Sequence, residues 1–547
     1  MILTKPPVVP IGEPKAGEGG YQPPQPQIRR WNGSGHKALT CDIQVDHDFS
    51  LKMRDGATLY MDIYRPAHTD AKVPAIICWS PFGKKFNGLM SLQLMTPWNL
   101  GVPDDALSGL EKFEAPDPAD WVARGYAIVN VDSRGTGDSE GVMATMGTQE
   151  AEDGYDTIEG IAKQGWCSGR IGLAGNSHLA IIQWFIAALR PPSLKAIAPW
   201  EGCGDLYREQ FGRGGIYAGD LFDKLIVKYM LKGRHGMESF KEMWKQHPLS
   251  NWWWEDKRPD MKKINVPTYI TGTWTNTMHG MGAIRGWLEV DSPHKWLRWH
   301  PWQEWYDLWG NPQAKTELMQ FFDYFLKGET DNGWDQTPRV RMAVLKFGKS
   351  DPLENVVEDD FPMARTEYKK LYLQPDSQLA FDPPQQQGLA TYNSESNEDA
   401  ATFTYTFPRK TQIVGMPKAV FYMSCDDYDD MDIYVLIEKL DKDGKPMLNL
   451  NIPWKGIPVQ SFDEFTREQS TEVTEEKIQP LGTVVKLDIG IWAMGIEYEA
   501  GESLRVVVSG RNKAVNNFGT SEWVDNKGTH KVHFGGEYAS HVILPFV

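Results

Sequence analysis

The stretch GRIGLAGNSHLAIIQWFIAAL, residues 169–189, changes character halfway along. Its first part is a short apolar run of the kind buried inside a sheet. Its second part has helical length and no breaker, and the join carries Gly175, Asn176, Ser177 and His178. A strand that turns directly into a helix with a serine on the bend is the arrangement of a nucleophile elbow. There the neighbours of the serine must be small, and the free N–H groups of the first helical turn face a reacting carbonyl. Gly175 stands two positions before the serine, and the His178 N–H becomes a candidate oxyanion donor. The pattern departs from G-x-S-x-G at its last position, where Leu179 stands with Ala180 beyond it. The plainer alternative is a serine that only caps a helix; strand before and helix after favour the elbow.

Outward from this junction the same texture repeats. VPAIICWSP (73–81) and YAIVNVD (126–132) are continuous apolar runs, EAEDGYDTIEGIAKQ (150–164) reads as helix and LKAIAPW (194–200) as strand. This alternation predicts an α/β fold with a parallel sheet covered by helices. It stops after Glu201 and resumes at VPTYITGTW (266–274). The interval holds two helical patterns and the run Trp252-Trp253-Trp254, the usual sign of a cap inserted near the functional edge of a sheet. After the helix TELMQFFDYFLKG (316–328) come short alternating strands such as KAVFYMS (418–424) and SLRVVVSG (503–510), with a hairpin signal at Asp443-Gly444. The expected division is an extended Pro/Gly-rich arm over 1–40, an α/β domain over 41–202 and 264–330, a helical cap over 203–263, and an all-β jelly-roll sandwich over 337–547. Such an arm lies against its own body or against a second subunit, which would make a homodimer.

Composition narrows the class of partner. Acidic residues outnumber basic ones 73 to 57, a formal charge of -16, and no stretch gathers Lys or Arg as a phosphate-tracking groove requires. Nucleic acid and anionic membrane are therefore excluded as expected partners, and no apolar run reaches membrane-spanning length. The five cysteines are scattered, odd in number and never in a CxxC pair, which points to a reducing, cytoplasmic setting without disulfides or a zinc site. The loop DSRGTGDSEG (132–141) has its glycines at the wrong spacing for a phosphate loop. DDYDDMD (426–432) lacks the Gly and Glu of a calcium loop. No metal or organic cofactor is implied.

Taken in order, RDGATLYMDIYRP (54–66), SPFGKKF (80–86), GYAIVNVDSRGTGDSEG (125–141), EDGYDTIEGIAKQGWCSGRIGLAGNS (152–177), a cap insertion, VPTYITGTW and a terminal jelly roll make the chain resemble the X-prolyl dipeptidyl-peptidase and cocaine-esterase (CocE/NonD) family of α/β hydrolases. The resemblance implies a serine hydrolase acting on an ester or amide of a hydrophobic small molecule, with Ser177 as nucleophile. It also implies a histidine as base and an acid to hold that base in its tautomer, in the chain order serine, acid, histidine. His300 in KWLRWHPW (295–302) follows a predicted strand at about the expected place, with His294, His279 and His178 as rivals. The family run there is Gly-Pro-Trp-Ser-His-like, and this chain departs from it.

Two further departures matter. Asn276 stands where the family carries its aspartate; an Asp-to-Asn change in a serine triad costs about 10⁴ in rate, or roughly 5 kcal/mol. Glu201, just past the strand 194–200, is the alternative acid, with Asp205 behind it. Phe82 stands where the family commonly has a tyrosine whose hydroxyl serves the oxyanion, a loss of about 3 kcal/mol that backbone N–H groups at Phe82 and Gly83 could offset. These departures leave room for non-hydrolytic chemistry on the same scaffold (acyl transfer, carbon–carbon bond chemistry or isomerisation) or for a ligand-binding protein without catalysis. Of the 22 tryptophans, Trp200, Trp253, Trp274, Trp299 and Trp302 are the candidate walls of an apolar substrate pocket.

Overall fold

The computed structural model describes residues 5–13, 27–29, 37–95, 100–103, 105–276, 278–449, 452, 471–472, 481–513 and 524–547. Ten long strands build its main sheet: β1 Ile43–Lys52, β2 Thr58–Pro66, β3 Val73–Ser80, β4 Ala127–Asp132, β5 Cys167–Asn176, β6 Leu194–Trp200, β7 Thr268–Thr273, β8 Lys295–His300, β9 Val340–Val344 and β10 Leu353–Glu358. Their spatial order is β10-β9-β8-β7-β6-β5-β3-β4-β2-β1, with the short strand Gln27–Arg29 on the β1 edge. From β3 to β9 neighbours run parallel, while β2 joins β4 antiparallel. β3, β4 and β7 are buried along their whole length. Their unbroken apolar runs follow from helices covering both faces. The helices that matter to the site are α1 Thr148–Ala162, α2 His178–Ala188, α3 Gly280–Glu289 and α4 Pro312–Phe322.

Parallel register brings the carboxyl ends of the central strands level. Ser80 pairs with Asp132, Asn176 with Trp200, and Thr273 with His300. Every loop that leaves this edge can therefore contribute to one crevice, where open α/β sheets bind ligands.

Between β6 and β7 the chain forms the cap, including helical segments Phe222–Met230, Phe240–Gln246 and Trp252–Asp256. Asn251 caps the last of these by accepting from the N–H groups of Trp253 and Trp254. Phe211 stacks on Phe240 at 4.0 Å, and Trp253 meets Trp254 at 4.8 Å, so the cap has its own aromatic core. The arm expected over 1–40 falls partly outside the described residues. Its described parts pair within the chain: Val8–Val9 with Met237–Glu238 of the cap, and Gln27–Arg29 with Ile43–Val45.

Beyond β10 the chain is all-β, in a nine-stranded and a four-stranded sheet whose strand pairs are antiparallel. The turn at Asp443-Gly444 is closed by the Gly444 N–H on the Asp441 carbonyl. One boundary differs from the sequence reading. The stretch RVRMAVLKF (339–347), which falls inside the sandwich expected over 337–547, supplies β9, which pairs parallel with β8 of the main sheet. The alternating texture is common to edge strands of both domains, so composition could not separate them. The sandwich begins after β10. Among the described residues no helix is long and apolar enough to cross a membrane.

Candidate active site

Ser177 sits between the last residue of β5 and the first of α2 with φ 55° and ψ -120°. A non-glycine residue in that conformation is strained by about 1–3 kcal/mol and persists only where its surroundings hold it. Here the Ser177 N–H bonds the Glu201 carbonyl at 3.1 Å and the Asn176 N–H bonds the Glu114 carbonyl at 3.0 Å. Glu114 (φ 66°) and Glu201 (φ 57°) are themselves in the left-handed region. Three strained backbones thus meet at one turn. Gly175, at φ 132°, is required by both conformation and space: a Cβ there would lie 2.6 Å from Leu179 Cβ and 2.8 Å from the Glu114 carbonyl oxygen. Gly175→Ala is expected to destabilise the fold by roughly 1–3 kcal/mol and to shift the Glu114 loop; a thermal melt and a titration of Ser177 reactivity check both.

The neighbours of Ser177 are acidic. The Glu114 carboxyl interacts with the Ser177 hydroxyl and the His178 N–H, each favouring its ionised form. Its Oε1 accepts from Trp305 Nε1 at 3.2 Å, and its Oε2 has no partner of full hydrogen-bond geometry among the described residues. The loop after β8 folds back over the elbow, where the Glu304 carbonyl accepts from Asn176 Nδ2 at 2.9 Å. Burial pushes the Glu304 carboxyl up to about 8. Burial, and then the Glu304 charge, raise Glu114 and Glu201 well above the usual carboxylate range. Three buried carboxyls so close together cannot all ionise near neutral pH.

Of the two residues expected as its acid, His300 meets Glu201, and Asn276 meets Glu201 in turn. The His300 Nε2 lies 2.6 Å from Glu201 Oε1, and Asn276 Nδ2 donates to Glu201 Oε2 at 3.3 Å. The first is a close contact without hydrogen-bond alignment, and both His300 ring nitrogens lack a hydrogen-bond partner among the described residues. His300 does not bond Ser177. It is the last residue of β8, still paired with Thr273, and β8 lies three strands from β5. Three strand spacings are about 14 Å, more than hydrogen-bonded histidine and serine side chains span. The loop past β8, not the strand end, is what returns to the serine. Set on the shared Pro-Trp pair, HPWQE (300–304) against Gly-Pro-Trp-Ser-His puts Glu304 at the histidine position. That register was the one signal in the sequence for Glu304; nothing in it marked Glu114, which lies far along the chain in an irregular segment.

Of the rival histidines, His178 is held by Glu150, Nε2 to Oε1 at 3.0 Å, and Trp79 Nε1 reaches the same oxygen at 2.9 Å. Its backbone N–H, not its ring, faces the site. His279 is buried with neither ring nitrogen partnered among the described residues, and burial pulls it down to about 3. His294 starts no contact with the elbow; its N–H turns to Ser292 and its ring to Phe325. Asp205 caps the helical segment Leu206–Phe211 and pairs with Arg208.

On the oxyanion side, the Phe82 N–H is turned to the Ser80 hydroxyl at 3.4 Å. The Phe82 ring stands edge-on to His178 at 6.1 Å. Gly83 has φ 88°, and its N–H has no acceptor among the described residues' backbone and side-chain bonds. The five tryptophans divide. Trp274 and Trp299 lie with ring centroids 4.3 Å apart and planes inclined at 37°, and they line a narrow gap with Asn276, Gly280 and Trp492 of the sandwich. Trp200 is packed edge-on against Tyr269, Trp253 belongs to the cap core and bonds Glu238, and Trp302 bonds Glu354. These three fill structure and do not wall the gap, because each side chain is closed in by its own neighbours.

Residues 55–233 match the family profile described as X-Pro dipeptidyl-peptidase (S15 family). Residues 332–543 match that of the X-Pro dipeptidyl-peptidase C-terminal non-catalytic domain. A cocaine esterase of a Rhodococcus species is 26% identical over 390 residues, 61% of this chain and 62% of that protein. A Xaa-Pro dipeptidyl-peptidase of Lacticaseibacillus casei is 23% identical over 66% of this chain and 54% of that protein. The matched stretch thus spans less than two thirds of these curated relatives. A solved CocE/NonD family hydrolase of Staphylococcus aureus superposes with a TM-score of 0.81 at 29% identity, over 92% of this chain and 94% of that chain. An α-amino acid ester hydrolase, at TM-score 0.68 and 16% identity over 95% of this chain and 98% of that one, shares the fold. With its elbow, its sheet order and both profiles in sequence, the chain belongs to the X-prolyl dipeptidyl-peptidase and cocaine-esterase (CocE/NonD) family of α/β hydrolases.

Proposed function

We propose that the chain is a serine hydrolase that cleaves an ester or amide with a hydrophobic acyl group through an acyl-enzyme on Ser177. The observation that carries this reading is the strained elbow, with Ser177 at φ 55° on the carboxyl edge of a parallel sheet and the first N–H groups of α2 beside it. The hydroxyl oxygen attacks the substrate carbonyl carbon. The oxyanion that forms is taken by the His178 N–H and, from the loop after β3, the Gly83 N–H. This division of labour follows from Phe82, whose own N–H is committed and whose side chain has no hydroxyl. Trp274, Trp299 and Trp492 line a gap of about 10 Å³ next to Asn276, room for little more than one water, and the Glu201 carboxyl links His300 to Asn276.

The names of the relatives support hydrolysis of esters or of peptides at X-Pro, and the choice of a hydrophobic small molecule rests on the 22 tryptophans of the chain. A fluorophosphonate probe followed by peptide mapping tests the reading. One adduct per chain on the peptide containing Ser177, absent in Ser177→Ala, is the expected result. A folded protein that resists the probe at every pH between roughly 5 and 10 would point to the non-hydrolytic or ligand-binding alternatives instead.

A further inference from the structure

We propose that the proton acceptor of Ser177 is the carboxyl of Glu114, and that Glu304 is the neighbouring carboxyl that governs when Glu114 can accept; this rests on reading Ser177 as the nucleophile. The contact set is specific. Glu114 is held against the elbow by geometry, its carbonyl 3.0 Å from the Asn176 N–H and its Oε1 3.2 Å from Trp305 Nε1, and its carboxyl interacts with the Ser177 hydroxyl, whereas His300 is held at Glu201 and His178 at Glu150. Glu114 is oriented from three directions: by Trp305 Nε1 from the loop after β8, by the His178 N–H from α2, and by its own left-handed backbone, whose carbonyl receives the Asn176 N–H. Strain held in place by several partners at a nucleophile is the kind of outlier from which function is inferred. A contact short of full hydrogen-bond alignment is ordinary for an acid–base pair without substrate.

The chemistry balances with groups on the chain and one water. The Glu114 carboxylate takes the Ser177 proton as Oγ forms its bond to the carbonyl carbon and the carbonyl π pair moves to oxygen. The substrate oxygen displaces the Glu114 carboxyl from the His178 N–H. Collapse of the oxyanion breaks the bond to the leaving alcohol or amine, which receives that proton from Glu114. Water then attacks the acyl-enzyme, giving its proton to the Glu114 carboxylate, and the proton returns to Ser177 Oγ as the acid departs.

The base must be ionised, so the sign of its pH dependence follows from what surrounds it. Glu304 faces it from the loop after β8 and Glu201 from the end of β6. Behind them, Asp307 and Arg298 pair with each other and stand beside His300. On the opposite side Lys112 is spent on the Ser80 and Val131 carbonyls, and Glu150 is spent on His178. With burial and like charge dominant, Glu114 is raised well above the usual carboxylate range and Glu304 up to about 8. The rate of Ser177 modification should therefore rise with pH above the range in which an ordinary carboxylate titrates. An imidazole base here would already be neutral in mild acid, since burial brings His300 down to about 4 and His279 to about 3.

The experiment measures the second-order rate of fluorophosphonate labelling of Ser177 across pH 5–10, in the full chain and in the Glu304→Gln and Glu114→Gln variants. Glu304→Gln removes the like charge and should move the rising limb to lower pH by roughly one unit or more. Glu114→Gln should lower the rate by about 10²–10⁴-fold, with circular dichroism confirming that the variant is folded. A wild-type limb below pH 5, or full labelling of folded Glu114→Gln, would overturn the Glu114 assignment and leave Ser177 as nucleophile. Should Glu114→Gln not fold, an unmoved limb in Glu304→Gln overturns it as well. Absence of any Ser177 adduct in the wild type removes both readings together.

Discussion

Ser177→Ala is expected to lower kcat/KM for a chromogenic aryl ester by roughly 10⁵-fold, or about 7 kcal/mol, while leaving the melting temperature nearly unchanged. The size follows from the role: without Oγ no acyl-enzyme forms, and what remains is the oxyanion donors acting on water. Stability should be spared or improved because the elbow strain belongs to the backbone around a serine that is partly open to solvent. Alanine at φ 55° is no worse than serine there, and it no longer contacts the buried Glu114 carboxyl. Steady-state kinetics on the purified variant decide the matter. Retention of more than a hundredth of the wild-type rate would exclude covalent catalysis at this position.

Lys84→Met is the second large effect, and it acts on stability. Lys84 is buried under the loop that carries Phe82 and Gly83, with its ammonium 2.6 Å from Asp48, 3.8 Å from Asp62 and 3.6 Å from Asp132. Burial alone would loosen its proton, but the three carboxylates more than reverse that and raise its pKa. Methionine keeps the volume and removes the one cation set among all three. Breaking a buried ion pair by deleting one partner costs about 3–5 kcal/mol. Lys84→Met should lose that much in a urea titration, with the slope unchanged. Because the backbone N–H of Lys84 also bonds Asp132, relaxation of the loop should displace the adjacent Gly83 N–H and reduce kcat with little change in KM. A midpoint within experimental error of wild type would mean that the carboxylates find other compensation.

Much of the architecture was legible from local pattern. Continuous apolar runs marked strands buried on both faces, helical stretches of the right length separated them, and a serine at one strand-to-helix join located the edge of the candidate site. The cap was legible as a break in that alternation. The tryptophans were less so, because a large aromatic fills a core or walls a gap equally well. Trp274 and Trp299 line the gap beside Asn276, whereas Trp200, Trp253 and Trp302 are enclosed by other residues.

Ser177, its small neighbours and the departures at Phe82 and Asn276 could be read from the order of residues alone, since each depends on a bend or motif confined to a few positions. Who stands beside the serine could not. Glu114 arrives from an irregular segment more than sixty residues upstream, and Glu304 arrives only because the loop after β8 returns to the end of β5. His300, four residues earlier, stays paired in the sheet beside Glu201. Strand order sets those separations in ångströms, and burial of carboxyls without counter-charge sets their protonation. Neither quantity exists until distant segments are packed together.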